Sequence, residues 1–155
     1  AATEVWLLFL HADTVLAPGW RVVVDARLSS SGAAERAACF RFRLDDASPQ
    51  ARRLERWVAL RVAALALPYG DQGLLIHRSL YDAVGGYRTL PLMEDVDLVR
   101  RLGRRRLKVL DASAVTSARR WRQDGWLRRS ARNLSCLTLF YLGVPAERIA
   151  RLYGR

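Results

Sequence analysis

Lysine is nearly absent: Lys108 is the single lysine among 26 basic residues, so arginine carries the positive charge. With 15 acidic residues, the formal net charge is +11. Two readings stand side by side. One is a coding preference for arginine on solvated faces. The other is a surface that attracts anions such as nucleotide, phosphate, anionic lipid or nucleic acid. Cysteine is also scarce. Cys39 and Cys136 sit in apolar surroundings, and no Cys-x-x-Cys spacing occurs. A disulfide framework and a cysteine-based zinc site are therefore excluded. Buried reduced thiols are expected, which favours a cytoplasmic setting. Long hydrophobic runs are missing too. The longest, Trp57 to Pro68, is broken by Arg61 and is too short to span a bilayer.

What remains is a globular composition. The chain has 155 residues, 51% hydrophobic and 26% charged, which suits one domain over residues 1–155 with a real core. No internal repeat, low-complexity linker or second domain is visible. Glu4 leads almost at once into an apolar run, Val5 to Leu10. A start of this kind is expected of the second part of a larger domain that lacks its natural N-terminal portion.

The run Val5–Leu10 predicts a central strand covered on both faces. It ends in His11-Ala12-Asp13-Thr14. Ligands gather at the carboxyl ends of such strands, so Asp13 is well placed for a metal or a metal-bound phosphate. His11 is either a further ligand or simply hydrogen-bonded. Pro18 starts a helix with Trp20, Val23, Val24 and Leu28 inward. Cys39 to Asp45 alternates, with Phe40, Phe42 and Leu44 on one face, and predicts a half-buried strand. Ser48-Pro49 starts a helix in which Leu54, Trp57, Val58, Val62 and Leu65 trace one face, and Pro68 ends it.

Tyr69-Gly70-Asp71-Gln72-Gly73 precedes a short strand, Leu74–Ile76. Its two glycines let the backbone approach a ligand closely, or form a plain turn. Ser79 to Val84 reads as a short helix stopped by Gly85-Gly86. Three carboxylates then fall within four residues: Glu94, Asp95 and Asp97. They open a helix running to Leu102. Asp95 leads a stripe of Leu98, Val99 and Leu102, which turns it inward, with Glu94 and Asp97 rotated toward Arg101 and solvent. Acidic residues in a first helical turn also offset the dipole, with no further role. Leu107–Leu110 is a strand, with Ala114–Thr116 as an extension. Ser117 to Arg122 sets Arg119, Arg120 and Arg122 around Trp121, and a planar guanidinium fork suits phosphate oxygens. Asp124-Gly125 caps a long helix striped by Leu127, Ser130, Leu134, Leu137 and Tyr141. A last short helix covers Ala146 to Tyr153.

The strings LLFLHADT, YGDQGLLIHRSLYDAVGGYRTLPLMEDVDLVRRL and TSARRW, in this order and spacing, resemble the family 2 glycosyltransferases. The nearest likeness is to a bacterial subgroup with a His-Ala-Asp-Thr strand end. The resemblance runs from Leu7 to about Tyr153. It implies an α/β fold of the glycosyltransferase A type, a nucleotide-binding sandwich, here the C-terminal two-thirds of the catalytic domain without its first strands. It implies that the family's Asp-x-Asp metal motif falls on His11-Ala12-Asp13, with Asp13 the main ligand of Mg²⁺ or Mn²⁺ and His11 in place of the first aspartate. It also implies that the family's Glu-Asp pair falls on Glu94-Asp95, with Asp95 the base that deprotonates the acceptor. The expected activity is inverting transfer of a sugar from a nucleotide-sugar to an acceptor hydroxyl. Gln72, Gly73, Arg119, Arg120 and Trp121 are the expected substrate and phosphate contacts.

Two other readings come from the charge. One is a non-catalytic nucleic-acid binder, favoured by arginines mixed with Trp57, Trp121 and Trp126. The other is a module on anionic membrane, through the helix from Trp126 to Leu142 with its arginine-rich start. The second is compatible with transfer to a lipid-linked acceptor.

Overall fold

The computed structural model describes residues 5–154. It is a mixed α/β arrangement around a five-stranded sheet with order β1-β4-β3-β5-β2. The strands are β1 (Trp6–Phe9), β2 (Thr14–Leu16), β3 (Ala37–Leu44), β4 (Leu74–His77) and β5 (Leu107–Thr116). β3 and β5 run parallel; the β1–β4, β3–β4 and β2–β5 pairs are antiparallel. The helices are α1 (Trp20–Leu28), α2 (Pro49–Leu65), α3 (Arg78–Ala83), α4 (Glu94–Leu102), α5 (Arg119–Asp124), α6 (Trp126–Tyr141) and α7 (Ala146–Tyr153).

Three apolar clusters hold the helices to the sheet. Val24 of α1 packs with Ala38, Phe40, Leu75 and Ala114. Val58 and Val62 of α2 pack with Phe42, Leu44 and Trp121. Leu98 and Leu102 of α4 pack with Leu74, Ile76 and Leu80. β3 therefore does not keep one inward row. An irregularity between Cys39 and Arg41 divides it, so Phe40 serves the α1 side while Phe42 and Leu44 serve α2 and α5. Both cysteines are free and buried, as expected.

Several expectations need correction. β1 is half-buried and, among the described residues, pairs only with β4 at one end of the sheet, so it is not a central strand here. An apolar run cannot by itself tell a central strand from an edge strand partly covered by helices. The segment after Asp13 forms β2, a pairing that three residues of sequence do not announce. Trp57 and Leu65 point outward, 71% and 58% exposed, because α2 seats Ala51, Val58 and Val62 instead. On α6, Leu127 and Leu134 lie outside and Cys136 and Leu137 inside. Val58, Val62 and Leu137 are buried as the periodicity predicts, but in both helices the apolar residues outnumber the positions that the core can cover, so the rest of each stripe stays outside.

The ends of α2 are built differently. Ser48 caps the N-terminus, its hydroxyl accepting from the Ala51 N–H at 3.2 Å. The C-terminal cap is Ala66, held left-handed at φ 50°. A Cβ in that region costs about 1–2 kcal/mol, and glycine's extra unfolded-state entropy offsets about half of that. Ala66→Gly should therefore stabilise the fold by about 0.5–1 kcal/mol in urea unfolding. A destabilised variant would show that the cap is not strained.

Candidate active site

Three chain segments meet at the site. The first is the turn after β1, closed by the Thr14 N–H donating to the His11 carbonyl at 3.1 Å. The second is the 3-10 turn Gly70–Gln72 before β4. The third is the end of β5, where the Ser117 N–H donates to the Asp13 carbonyl at 3.1 Å. The Thr14 and Thr116 hydroxyls bond at 2.8 Å in a buried pair, and Thr116 Oγ1 also donates to the Asp71 carbonyl at 3.2 Å. Two β-branched side chains thus tie all three backbone segments at one point.

The fourth segment is the start of α4. The Gly70 N–H donates to Asp95 Oδ2 at 2.6 Å, and the Val96 N–H to Asp95 Oδ1 at 2.7 Å. Asp95 is turned inward, as the spacing predicts. Asp97 is paired with Arg101 at 2.7 Å, also as predicted. Glu94 differs from expectation. It faces the cleft beside Asp95 and makes no hydrogen bond or ion pair among the described residues. Met93, which precedes the pair, is held left-handed at φ 66°. A bulky residue in that region is strained, and the strain lies immediately before the carboxylate pair.

The cleft has two chambers. One, of about 180 Å³, is the more polar of the two and is lined by Asp13, Asp71, Ser117, Arg120 and Arg129 among others. The other, of about 280 Å³, is mostly apolar and is lined by Phe9, Leu10, Pro68, Tyr87 and Val99 among others. His11, Tyr69, Glu94 and Asp95 belong to both and form the wall between them. The His11 ring lies against the backbone of Gly70, where any Cβ would collide with it. Tyr69 lies beneath the Arg61 guanidinium, 3.7 Å from its ring centre.

Asp13 and Asp95, 82 positions apart in the numbering, therefore line one cleft, together with Arg120 and Trp121. Other expected residues lie elsewhere. Gln72 is buried, its Nε2 donating to the Phe40 carbonyl at 2.9 Å, so its amide nitrogen braces β3 and does not face the polar chamber. Gly73 touches only the apolar chamber. It is required by a φ of 62° and by Leu10 Cδ2, 2.7 Å from where a Cβ would sit. Arg119 is exposed and lines neither chamber. Asp71, Tyr69, Arg129, Asn133 and Tyr153 also line the polar chamber without having been singled out as site residues. Asp71 has a legible signal in the two glycines around it. The α6 and α7 residues have none, since only the packing of those helices brings them there.

Asp71 is the electrostatic centre of the cleft. Burial pushes its carboxyl up to about 6. The Arg61 charge opposes that rise, Asp95 adds to it, His11 opposes it and Asp13 adds to it. Its Oδ1 is buried and has no hydrogen-bond partner. An unpartnered buried oxygen next to further carboxylates is a place where a hard divalent cation fits. Among the described residues, no three His, Cys, Asp or Glu side chains form a ready-made metal cage. The donor set suits an ion held by one or two carboxylates and completed by phosphate and water, the usual habit of Mg²⁺.

No protein-family model matches the chain, and no curated protein or solved structure matches it.

The raised Asp71 value fixes the sign of a pH effect. Between the ordinary carboxyl value and about 6, the folded chain holds a proton that the unfolded chain has released. Stability therefore falls as pH rises through that window and levels off above it. Asp71→Asn should remove roughly 2–3 kcal/mol of that fall, read as the difference in urea stability between pH 4 and pH 8 in chelator. Equal pH dependence in both proteins would place Asp71 in water.

Proposed function

We propose that this cleft transfers a sugar from a nucleotide-diphosphate donor to an acceptor hydroxyl with inversion, on a nucleotide-binding fold of the glycosyltransferase A type. The observation that carries the reading is the convergence of Asp13, Asp95 and Arg120 on one cleft from three distant segments. The resemblance to family 2 glycosyltransferases, in the strand end His11–Thr14, the turn at 69–73 and the Glu94-Asp95 pair, supports it.

The donor diphosphate is assigned to the polar chamber. Asp13, with Asp71 and His11 beside it, would hold a Mg²⁺ or Mn²⁺ ion there, which when bound offsets phosphate charge. Arg120 is exposed and makes no ion pair among the described residues, so its guanidinium is available to phosphate oxygens. Arg129 is partly committed, its Nη1 donating to Asp124 at 2.7 Å, while its buried Nε has no partner. As the bond from the anomeric carbon to phosphate oxygen breaks, negative charge grows on the leaving diphosphate, and the guanidiniums of Arg120 and Arg129 lower its energy.

Asp95 accepts the proton of the attacking hydroxyl. Its two backbone donors fix the carboxylate plane, and each oxygen keeps a lone pair for the acceptor. The new bond forms between acceptor oxygen and anomeric carbon on the face opposite the leaving diphosphate, which inverts the configuration. The apolar chamber on the far side of the His11–Asp95 wall is the place for the acceptor. Glu94 is a second choice of base, favoured by one observation: it faces both chambers with no partner, whereas both Asp95 oxygens are engaged.

The non-catalytic nucleic-acid reading is weaker. Among the described residues, eight arginines are held in ion pairs, including Arg43 and Arg52 on buried Glu55 and Arg129 and Arg132 on Asp124. These pairs engage part of the basic charge within the protein and leave no continuous arginine track for a nucleic-acid backbone.

Asp95→Asn should lower release of nucleoside diphosphate from a panel of nucleotide-sugars with acceptor by about 10²–10⁴-fold, with Glu94→Gln affecting it less. The reverse ranking would make Glu94 the base. Full activity in both variants would end the transferase reading.

A further inference from the structure

α2 carries a second apolar face that none of the described residues covers. Its inner face seats Ala51, Val58 and Val62 in the core. Its outer face shows Trp57, Leu60 and Leu65 at 71%, 61% and 58% exposure. Trp57 and Leu60 are three residues apart, Leu65 lies two turns beyond Trp57, and exposed Ala64 fills the row between them.

The charge around this ridge has one sign. Arg53 and Arg56 are exposed at its N-terminal end and make no ion pair among the described residues. At its C-terminal end, the 3-10 turn Arg104–Arg106 abuts the helix, with Arg104 donating to the Ala64 carbonyl at 2.7 Å and to the Ala63 carbonyl at 3.1 Å. That contact satisfies two of the open carbonyls near the helix end and fixes where the turn sits. Arg105, Arg106 and nearby Lys108 are exposed, again without an acidic partner among the described residues. The single carboxylate of α2, Glu55, is buried on the other side, bound by Arg43 and Arg52 at 2.7 and 2.6 Å. The outer face of the helix therefore shows no negative charge.

We propose that the outer face of α2, together with the basic turn at 104–106, docks the protein on an anionic lipid bilayer. The helix would lie in the plane of the interface. Trp57, Leu60 and Leu65 enter the acyl boundary, and the arginines at each end reach headgroup phosphates on long stems. No helix among the described residues is long and apolar enough to cross a membrane, so this is surface attachment. Charge complementarity selects the occupant. A second copy of the same face would set arginine against arginine. An acidic strand of nucleic acid would find apolar leucines at the centre of the patch where phosphate contacts are needed.

The surface is coupled to the cleft. Arg61, on the same helix, donates from Nε to the Leu67 carbonyl at 3.1 Å and stacks on Tyr69, which lines both chambers. A docked α2 would thus bring the chamber wall near the membrane, where an acceptor on a lipid can reach it. That last step rests on the transfer reading; the docking does not.

The test is co-sedimentation of the chain with vesicles of phosphatidylcholine, with and without phosphatidylglycerol, at physiological ionic strength. Binding is expected only to the anionic vesicles. Trp57→Ser with Leu60→Ser and Leu65→Ser should lower the partition at least about tenfold. Arg105→Ser with Arg106→Ser should lower it about thirtyfold, at about fivefold per basic side chain. Arg148→Ser with Arg151→Ser, the same charge change on α7, should leave it nearly unchanged. Equal loss in the α7 variant would reduce the effect to net charge and overturn the assignment. Binding unaffected by the α2 changes, or a dimer that the α2 changes split without altering vesicle binding, would overturn it as well.

Discussion

The bond from the Gly70 N–H to the Asp95 carboxylate, 2.6 Å long, joins the acidic start of α4 to the glycine turn before β4. Much of the site follows from it. It fixes Asp95 on the wall between the two chambers. It also needs a residue without a side chain at position 70, because the His11 ring occupies the space that a Cβ would take. One glycine thus serves as donor to a carboxylate and as floor for an imidazole. The threonine pair Thr14–Thr116 then ties the His11–Asp13 turn and the end of β5 to the same place through the Asp71 carbonyl.

This wiring gathers negative charge. Asp13, Asp71, Glu94 and Asp95 line one polar chamber in a protein whose formal net charge is +11. Burial raises the proton affinity of Asp71, and the nearby charges of Asp95 and Asp13 add to the rise. Arg61 and His11 relieve part of it. A cleft of this kind is poised for cations and for the proton of an incoming hydroxyl. Arg120, free of ion pairs among the described residues, lines the same chamber. Structural needs alone do not account for this arrangement, since a helix start needs no carboxylate from a distant strand end.

The sequence made parts of this legible. The three carboxylates, their place before an apolar stripe and the strand-ending Asp13 are local signals, and the α4 stripe of Leu98, Val99 and Leu102 is buried as the period predicts. The pairing of β2 with β5 was not legible, because three residues carry no periodicity. Gln72 was misplaced for a different reason. A polar residue between glycines looks available to a ligand, but in the 3-10 turn this one faces inward onto the Phe40 carbonyl. Trp57 and Leu134 were assigned inward because both helices have more apolar residues than the sheet can cover, and only packing decides which row is seated. Arg129, Asn133 and Tyr153 enter the chamber through helix docking, which no local pattern encodes.

The central claim is that the polar chamber receives a diphosphate and a divalent cation at Asp13, on one side of a carboxylate wall. Calorimetric titration of nucleoside diphosphates, with Mn²⁺ present and with chelator, tests it most directly. The account predicts binding that requires Mn²⁺, is lost in Asp13→Asn, is weakened in Arg120→Ala, and survives in Asp95→Asn. Binding that ignores both the metal and Asp13, or a chamber that takes no diphosphate under either condition, would contradict it.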